Sequence, residues 1–109
     1  MQEMSLEAIQ GLYFTLDLNF NKLFDACQTS AQKDDFKTDY VNARDAFWEA
    51  RNRAFADNDP LVVNTVQKLV DCRDSIDADL ENLQNIVNVL NTISTGVSFA
   101  SRLLALGTI

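Results

Sequence analysis

Residues 60–106 read PLVVNTVQKLVDCRDSIDADLENLQNIVNVLNTISTGVSFASRLLAL, and the fold of the chain depends on this stretch. Apolar residues recur in it at steps of three and four, the spacing of one face of a helix or of a coiled-coil strand. Asp79 is the one polar member of the series, which otherwise consists of Cys72, Ile76, Leu83, Ile86, Leu90, Ile93, Val97, Ala100 and Leu104. The pair Asp59-Pro60 is typical of a helix start, because an acid caps the first turn and proline fits its first position. The stretch therefore predicts a long helix against which the rest of the chain packs.

The composition of the chain indicates one all-α domain. The 109 residues are 47% hydrophobic and include seven phenylalanines, which is enough apolar material for one core. One proline and three glycines are few for this length, and sheet turns draw heavily on those two residue types. We therefore predict a single helical-bundle domain over residues 1–109.

Periodicity places two further helices before Pro60, near residues 5–28 and 34–57. Each has candidate N-caps, which are Ser5 for the first helix and Ser30 or Asp34 for the second. The turn signal at residues 57–60 leaves a very short connection, which makes the second and third helices antiparallel neighbours. The predicted fold is an antiparallel bundle of three long helices with a C-terminal extension or a short fourth helix.

The third helix is predicted over residues 60–92, and the sequence leaves its end open. Thr95 is β-branched, and Gly96 lowers helix stability by about 1 kcal/mol relative to alanine. The apolar series nevertheless keeps its phase across Gly96. A continuous helix to Leu106 and a break near Gly96 are both compatible with this pattern.

The residue types argue against catalysis. The chain contains no histidine, which removes the commonest general base and the usual zinc ligand. Its glycines are isolated at Gly11, Gly96 and Gly107, so no glycine-rich phosphate loop is formed. We therefore predict that the protein is not an enzyme and has no catalytic residues, cofactor or metal.

The densest group of charges is acidic and lies at helical spacing within residues 71–81. Its members are Asp71, Asp74, Asp77, Asp79 and Glu81. A calcium loop needs irregular backbone with a glycine at its bend, and this predicted helix has no glycine. We interpret the cluster as a helix face that pairs with a row of bases on the second helix. Those bases recur every seven residues and are Lys37, Arg44 and Arg51. Lys37 and Arg44 lie at the same heights along the bundle as acids of the cluster, whereas Arg51 finds no acid at its level.

The net charge of −7 limits the partners that the protein attracts. An acidic surface repels phosphate backbones, which argues against nucleic acid, and it also disfavours anionic lipid. The N-terminus carries no basic run followed by an apolar segment, so no signal peptide is predicted. Together with only two cysteines, Cys27 and Cys72, this indicates a cytoplasmic protein with reduced thiols.

Four large apolar residues lie outside the main helix seams. They are Phe14 and Leu18 on the first helix, and Trp48 and Phe55 in a second stripe. The sequence leaves open whether these four are core or a second binding face. Trp48 also stands among three bases, Arg44, Arg51 and Arg53. That arrangement is typical either of a patch for an anionic ligand or of core plus flank, and the heptad repeat favours the second interpretation.

The length of the third helix leads to a prediction about function. Helices of about 23 residues define a bundle about 35 Å long, whereas a helix over residues 60–106 is about 70 Å long. Each large side chain left in water on the overhang forgoes about 1.5–3 kcal/mol. Either the helix folds back near Gly96 or a second molecule covers it, and we predict that residues 83–109 are an interaction segment. The predicted interface consists of Leu83, Ile86, Leu90, Ile93, Val97, Ala100 and Leu104.

The predicted function is that of a non-catalytic helical interaction protein, of an adaptor, inhibitor or immunity-type, or chaperone-like kind. The preferred partner is a second copy of the chain in a homodimer, and a different protein comes next. The alternative is a membrane-surface or membrane-inserting protein that uses residues 83–109, because residues 86–109 have about the length of a membrane span. Polar side chains and Arg102 make that segment a poor span.

Overall fold

A computed structural model describes residues 4–108, and every regular element in that range is a helix. The one β-type contact there is an isolated antiparallel bridge between Phe55 and Thr108. The all-α prediction is therefore confirmed. The helices number five, and their bounds are α1 Ser5–Leu18, α2 Phe20–Ala26, α3 Ser30–Ala50, α4 Pro60–Asp79 and α5 Ile86–Leu106.

The four longer helices form a bundle in which each packs beside two others. Around the core the order is α1, α3, α5, α4, so that α1 lies diagonally opposite α5, and α3 opposite α4. The bundle measures 41 × 23 × 19 Å. Its core contains large side chains from all five helices, including Leu12, Leu23, Phe36, Leu69 and Ile93, each with no exposed surface.

Three segments lie together at one end of the bundle. They are the start of α1, the α3–α4 connection and the end of α5. The backbone N–H and the hydroxyl of Ser5 both donate to Asp57 Oδ1, at 3.0 and 2.5 Å. The N–H of Ala56 donates to the carbonyl of Gly107 at 2.7 Å. Since α1 and α4 begin at this end while α3 and α5 finish there, α4 and α5 are antiparallel and α1 and α4 are parallel.

The prediction of one continuous first helix over residues 5–28 is wrong. The helix is interrupted at Asn19, which separates α1 from α2. The side-chain amide of Asn19 donates to the carbonyl of Thr15 at 2.9 Å, and such a local bond competes with the helical ladder. Ser5 is also the first helical residue rather than the N-cap, and the carboxylate that satisfies its N–H comes from Asp57.

The predicted second helix, residues 34–57, begins earlier and ends earlier than expected. Thr29 is its N-cap, with its hydroxyl accepting from the N–H of Gln32 at 3.1 Å. Because α3 ends at Ala50, residues 51–59 form a connection long enough to cross the end of the bundle. The second and third predicted helices are therefore placed diagonally, and the prediction that they are neighbours is wrong.

The predicted third helix, residues 60–92, ends at Asp79, and the chain turns back over residues 80–85. Of the two alternatives left open at Gly96, the break does not occur, since Gly96 is buried within the continuous helix α5. A Cβ placed on Gly96 would lie 3.4 Å from Leu12 and 3.5 Å from Cys72, so this glycine marks a close approach of α5 to α1 and α4. The C-terminal part is thus neither an extension nor short, because α5 has 21 residues. Folding back earlier buries the apolar seam within its own chain, which explains why continuity of the helix is given up.

Candidate interaction surface

The seven residues of the predicted interface lie in or against the core of their own chain. Five of them are at most 9% exposed, namely Ile86, Leu90, Ile93, Val97 and Ala100. Leu83 and Leu104 are half-buried and pack against that core. The overhanging helix that motivated the prediction is absent, because α5 folds back on α4. In this closed form the seven side chains are not a surface, and an interface through them stays a prediction that requires α5 to leave its place.

Large apolar side chains are exposed on α1 and α3, and also at Leu61 on α4 and at Val87 and Leu106 on α5. Phe14 is 42% exposed, Leu18 82% and Trp48 47%. Val41 lies seven residues before Trp48, on the same face of α3, and is 37% exposed. Phe55 differs from these, since it is half-buried and packs against the core. Three of the four residues that the sequence left undecided are therefore on the surface.

Beside these exposed residues runs a continuous row of aromatic rings along the contact between α1, α2 and α3. Neighbouring centroids are 4.9–5.8 Å apart, within the range of favourable ring pairs. In spatial order the half-exposed members are Phe14, Phe47, Tyr13, Tyr40, Phe20 and Phe24. Phe36, which is fully buried, lies beneath the row at 5.1 Å from Phe20. We call these six rings, together with Leu18, Val41 and Trp48, the aromatic face.

Basic side chains lie over the rings of the aromatic face. Lys33 and Lys37 both place their Nζ about 5 Å from the centroid of Phe24, at 5.2 and 5.1 Å. The guanidinium of Arg44 lies 4.8 Å from Trp48, and that of Arg51 lies 5.4 Å from Phe47. These distances are those of cation–π pairs.

Among these bases, Lys37 and Arg44 were predicted to pair with the acidic cluster of α4, and the structure does not bring the two groups together. Matching heights along the axis would have sufficed for neighbouring helices, but α3 and α4 lie diagonally. Arg44 instead contacts the adjacent Asp45 at 3.4 Å, and Arg51 and Lys37 lie over rings. Arg44 and Arg51 thus lie over rings of the same chain segment four residues away, Trp48 and Phe47, whereas Lys37 lies over Phe24 of the neighbouring helix α2.

Helical spacing separates the charges of α3 into two flanks. At 3.6 residues per turn, one flank next to the rings carries only bases, which are Lys33, Lys37, Arg44 and Arg51. The opposite flank carries acids, which are Asp35, Asp39, Asp45 and Glu49. The chain as a whole is strongly acidic, so this flank of α3 is a local cationic strip at the edge of the aromatic face, which also holds the carboxylate of Asp17 against Tyr40.

A hydrogen bond fixes the row of rings from within. The hydroxyl of Tyr40 on α3 donates to Asp17 Oδ1 on α1 at 2.6 Å. This bond to a carboxylate raises the pKa of Tyr40 above its ordinary value, with a hydrogen bond to Tyr13 adding to the effect. Tyr40 therefore remains a donor throughout the physiological range. The role of Asp17 was not anticipated, although its place beside the aromatic positions of α1 is visible in the sequence.

Two open grooves in the described part of the chain lie beside α5. Each has a volume of about 330 Å³, and they are lined by polar residues of α4 and α5 or of α3 and α5. In the second, the hydroxyl of Ser94 donates to Asp39 Oδ2 at 2.7 Å, while burial raises the pKa of Asp39. In the first, burial and then Asp71 raise the pKa of the Cys72 thiol, which makes it a weaker nucleophile at neutral pH.

Within residues 4–108 no group of histidine, cysteine or acidic residues is arranged to hold a metal ion. Cys27 and Cys72 form no disulfide, as the sequence predicted. The helix α5 is long and apolar enough to cross a membrane, with a mean hydropathy of 1.2. Many of its side chains, however, belong to the core of the bundle, and core helices pass the same test. No known protein family, curated protein or solved structure matches the chain.

Proposed function

We propose that the protein is a non-catalytic helical interaction protein, and that its aromatic face binds an acidic, apolar helical segment of a partner protein. The observation that carries this proposal is the exposure of Trp48, Phe14 and Leu18 beside four bases that already lie over the rings. Aromatic and arginine side chains contribute most of the binding energy at protein interfaces.

The apolar part of the face supports a protein partner. Exposed side chains as large as Trp48 and Leu18 gain free energy when a partner removes them from water. A row of rings held by packing and by the bond between Tyr40 and Asp17 loses little conformational entropy on binding. An amphipathic helix of a partner can lay its apolar side along such a row, with its own polar side outward.

The charged part of the face determines which sign of charge the partner should carry. Arg44 and Arg51 offer guanidinium groups to carboxylates at the edge of the contact. Nucleic acid is a poorer partner, because the net charge of −7 repels a long phosphate backbone. A short acidic helix meets the cationic strip and avoids most of the remaining anionic surface.

The test uses a designed amphipathic peptide of glutamate and leucine at helical spacing, labelled for fluorescence anisotropy. We expect it to bind, and we expect Trp48→Ala to weaken binding by tenfold or more, as about 2 kcal/mol at a central aromatic residue implies. Trp48 is the sole tryptophan, so its own emission should shift to shorter wavelength in the complex.

Two controls make the result specific. Arg44→Glu should weaken binding, whereas Arg102→Glu should not, since Arg102 lies over Phe99 on α5. A peptide with lysine in place of glutamate should bind more weakly than the acidic one. Absence of binding, or equal losses in the two charge variants, would contradict the proposal.

The membrane alternative has one observation in its favour, the length and hydropathy of α5. It requires α5 to leave the core and expose Ile93 and Ala100, which are fully buried. Co-sedimentation with phosphatidylcholine vesicles tests it directly. Binding to vesicles that is lost when the chain is truncated after Asn82 would favour this alternative. A cytoplasmic setting remains part of our proposal, and the two unpaired cysteines agree with it.

A further inference from the structure

The turn between α4 and α5 carries few of the signals that usually fix a helical hairpin. Residues 80–85 contain no glycine or proline, and no residue of the described range has a positive φ. Leu80 still has helical angles, with φ −61° and ψ −22°. At the other side of the turn, Asn85 precedes α5 without a capping hydrogen bond from its side chain.

The hydrogen bonds within the turn are local. The N–H of Gln84 donates to Asn82 Oδ1 at 3.2 Å, and the N–H of Asn82 donates to the carbonyl of Asp79 at 2.9 Å. Both bonds would be replaced by helical backbone bonds if the segment became helical. The turn is therefore maintained by packing on the bundle, that of α5 and that of Leu80 and Leu83 in the turn itself, rather than by a helix cap or a special backbone conformation.

The sequence of the turn also fits a straight helix. The series runs from Ile76 through Asp79, its one polar member, and Leu83 to Ile86 and Leu90 in steps of three and four. Leucine, glutamate and glutamine are good helix formers, and asparagine is a moderate one. Closed and straight forms of residues 60–106 are thus both encoded, and they differ in where α5 finds its partners.

We propose that the α4–α5 hairpin opens into one helix over residues 60–106 and that two copies of the chain exchange α5. In the closed form α4 and α5 are antiparallel neighbours. Two straight helices placed antiparallel bring α5 of each chain against α4 of the other, around a twofold axis at residues 80–85. Each buried side chain of α5 then regains the surroundings that it has in the monomer, which is why exchange between identical chains is energetically inexpensive.

This inference does not rest on the proposed binding function, because the aromatic face belongs to α1, α2 and α3. It explains how the predicted homodimer could form. The exchange would place Leu83, Ile86 and the following seam residues at the contact between the two chains. The same side chains fill the core in the monomer and the interface in the dimer. The exchanged helix would be about 70 Å long, against 41 Å for the longest dimension of the closed bundle.

The first test changes the turn in the full-length protein. Asn82→Ala with Asn85→Ala removes the bond to Gln84 and raises helix propensity, so the dimer association constant should rise about tenfold or more. Insertion of three glycines after Asn82 lengthens the turn and should shift the protein to monomer. Both are measured by sedimentation equilibrium after refolding at high protein concentration. Monomers alone in the parent and in the alanine variant would overturn the proposal.

The second test separates helix exchange from any other dimer. A Cβ at position 96 would lie 3.5 Å from that of Cys72, which is a disulfide distance. After oxidation with oxidised glutathione, Gly96→Cys should therefore give disulfides within the chain in the monomer fraction and between chains in the dimer fraction. The parent chain, oxidised in the same way, is the control. A dimer that is cross-linked only within its chains would overturn the exchange, whatever the aromatic face binds.

Discussion

The α3–α4 connection, residues 51–59, and the α4–α5 turn, residues 80–85, lie at opposite ends of the bundle and are fixed in different ways. The first makes bonds to two distant parts of the chain, from Ser5 to Asp57 and from Ala56 to Gly107. The second makes the local bonds described above. A connection can therefore be specified by its own residues or imposed by the helices that it joins. Only the first kind excludes an alternative path of the chain.

The largest effect is expected at the first connection. Asp57→Ala leaves the N–H and hydroxyl of Ser5 without their acceptor, and Ser5 is fully buried. We expect a loss of about 1–3 kcal/mol in the free energy of unfolding, the cost of an unsatisfied buried donor. Urea unfolding followed by circular dichroism measures it. The adjacent Asn58→Ala is the control and should change the free energy of unfolding by less than about 0.5 kcal/mol. Equal losses in the two variants would show that the bonds from Ser5 to Asp57 do not specify this connection.

The helix cap at the end of the same connection comes next. Asp59 accepts from the N–H of Leu61 at 2.8 Å through its side chain. Asp59→Ala should cost about 1 kcal/mol in the free energy of unfolding, whereas Asp59→Asn, which keeps an acceptor, should cost less. Thermal unfolding of the two variants side by side decides this. If both lost the same stability, charge rather than the capping bond would be responsible.

Gly96→Ala should stabilise the protein by up to about 1 kcal/mol, since alanine favours a helix interior over glycine. The nearest atoms, on Leu12 and Cys72, are at ordinary contact distance from an added Cβ. Gly11→Ala is the matched control, because there the added Cβ would approach Arg73 Nη1 to 2.7 Å and force that side chain to shift. The gain measured by thermal unfolding should be smaller at position 11. A destabilising Gly96→Ala would show that even this Cβ is too close to Leu12 and Cys72, so that the approach of α5 requires glycine.

The smallest effect is expected at the α4–α5 turn. Asn82→Ala removes the bond from Gln84, which is exposed, and should change monomer stability by less than about 0.5 kcal/mol. The measurement is urea unfolding at a protein concentration low enough to keep the chain monomeric. A loss as large as that of Asp57→Ala would show that the turn is specified by its own residues after all.

Much of the fold could be predicted where local signals agree. The all-α class followed from periodicity and from the scarcity of glycine and proline, and the start of α4 followed from Asp59-Pro60. The interruption at Asn19 and the turn at residues 80–85 could not be predicted in the same way. In both places helix formers continue the pattern, and the break results from tertiary packing or from a single side-chain bond. Gly96, the strongest local signal for a break, proved to be a contact point.

The aromatic face was predictable only in part. Phe14 and Leu18 fell outside the seam of their helix, so the sequence left a second face open. For Trp48 the heptad repeat favoured a place in the core with flanking bases, whereas the structure leaves Trp48 47% exposed. The row that joins Phe14, Phe47 and Tyr40 depends on α1 being the neighbour of α3. Periodicity gives the faces of a helix but not the order of helices around a bundle. For this reason the bases Lys37, Arg44 and Arg51 were matched with the acids of α4 instead of with the rings of Phe24, Trp48 and Phe47.

Amide hydrogen exchange in the full-length protein tests the contrast between the two connections most directly. The N–H of Ala56, bonded to Gly107 at 2.7 Å, should exchange only through global unfolding. The N–H of Gln84, bonded to Asn82 in the turn, should exchange through a local opening of much lower free energy. Equal protection of the two amides, or greater protection of Gln84, would contradict the account.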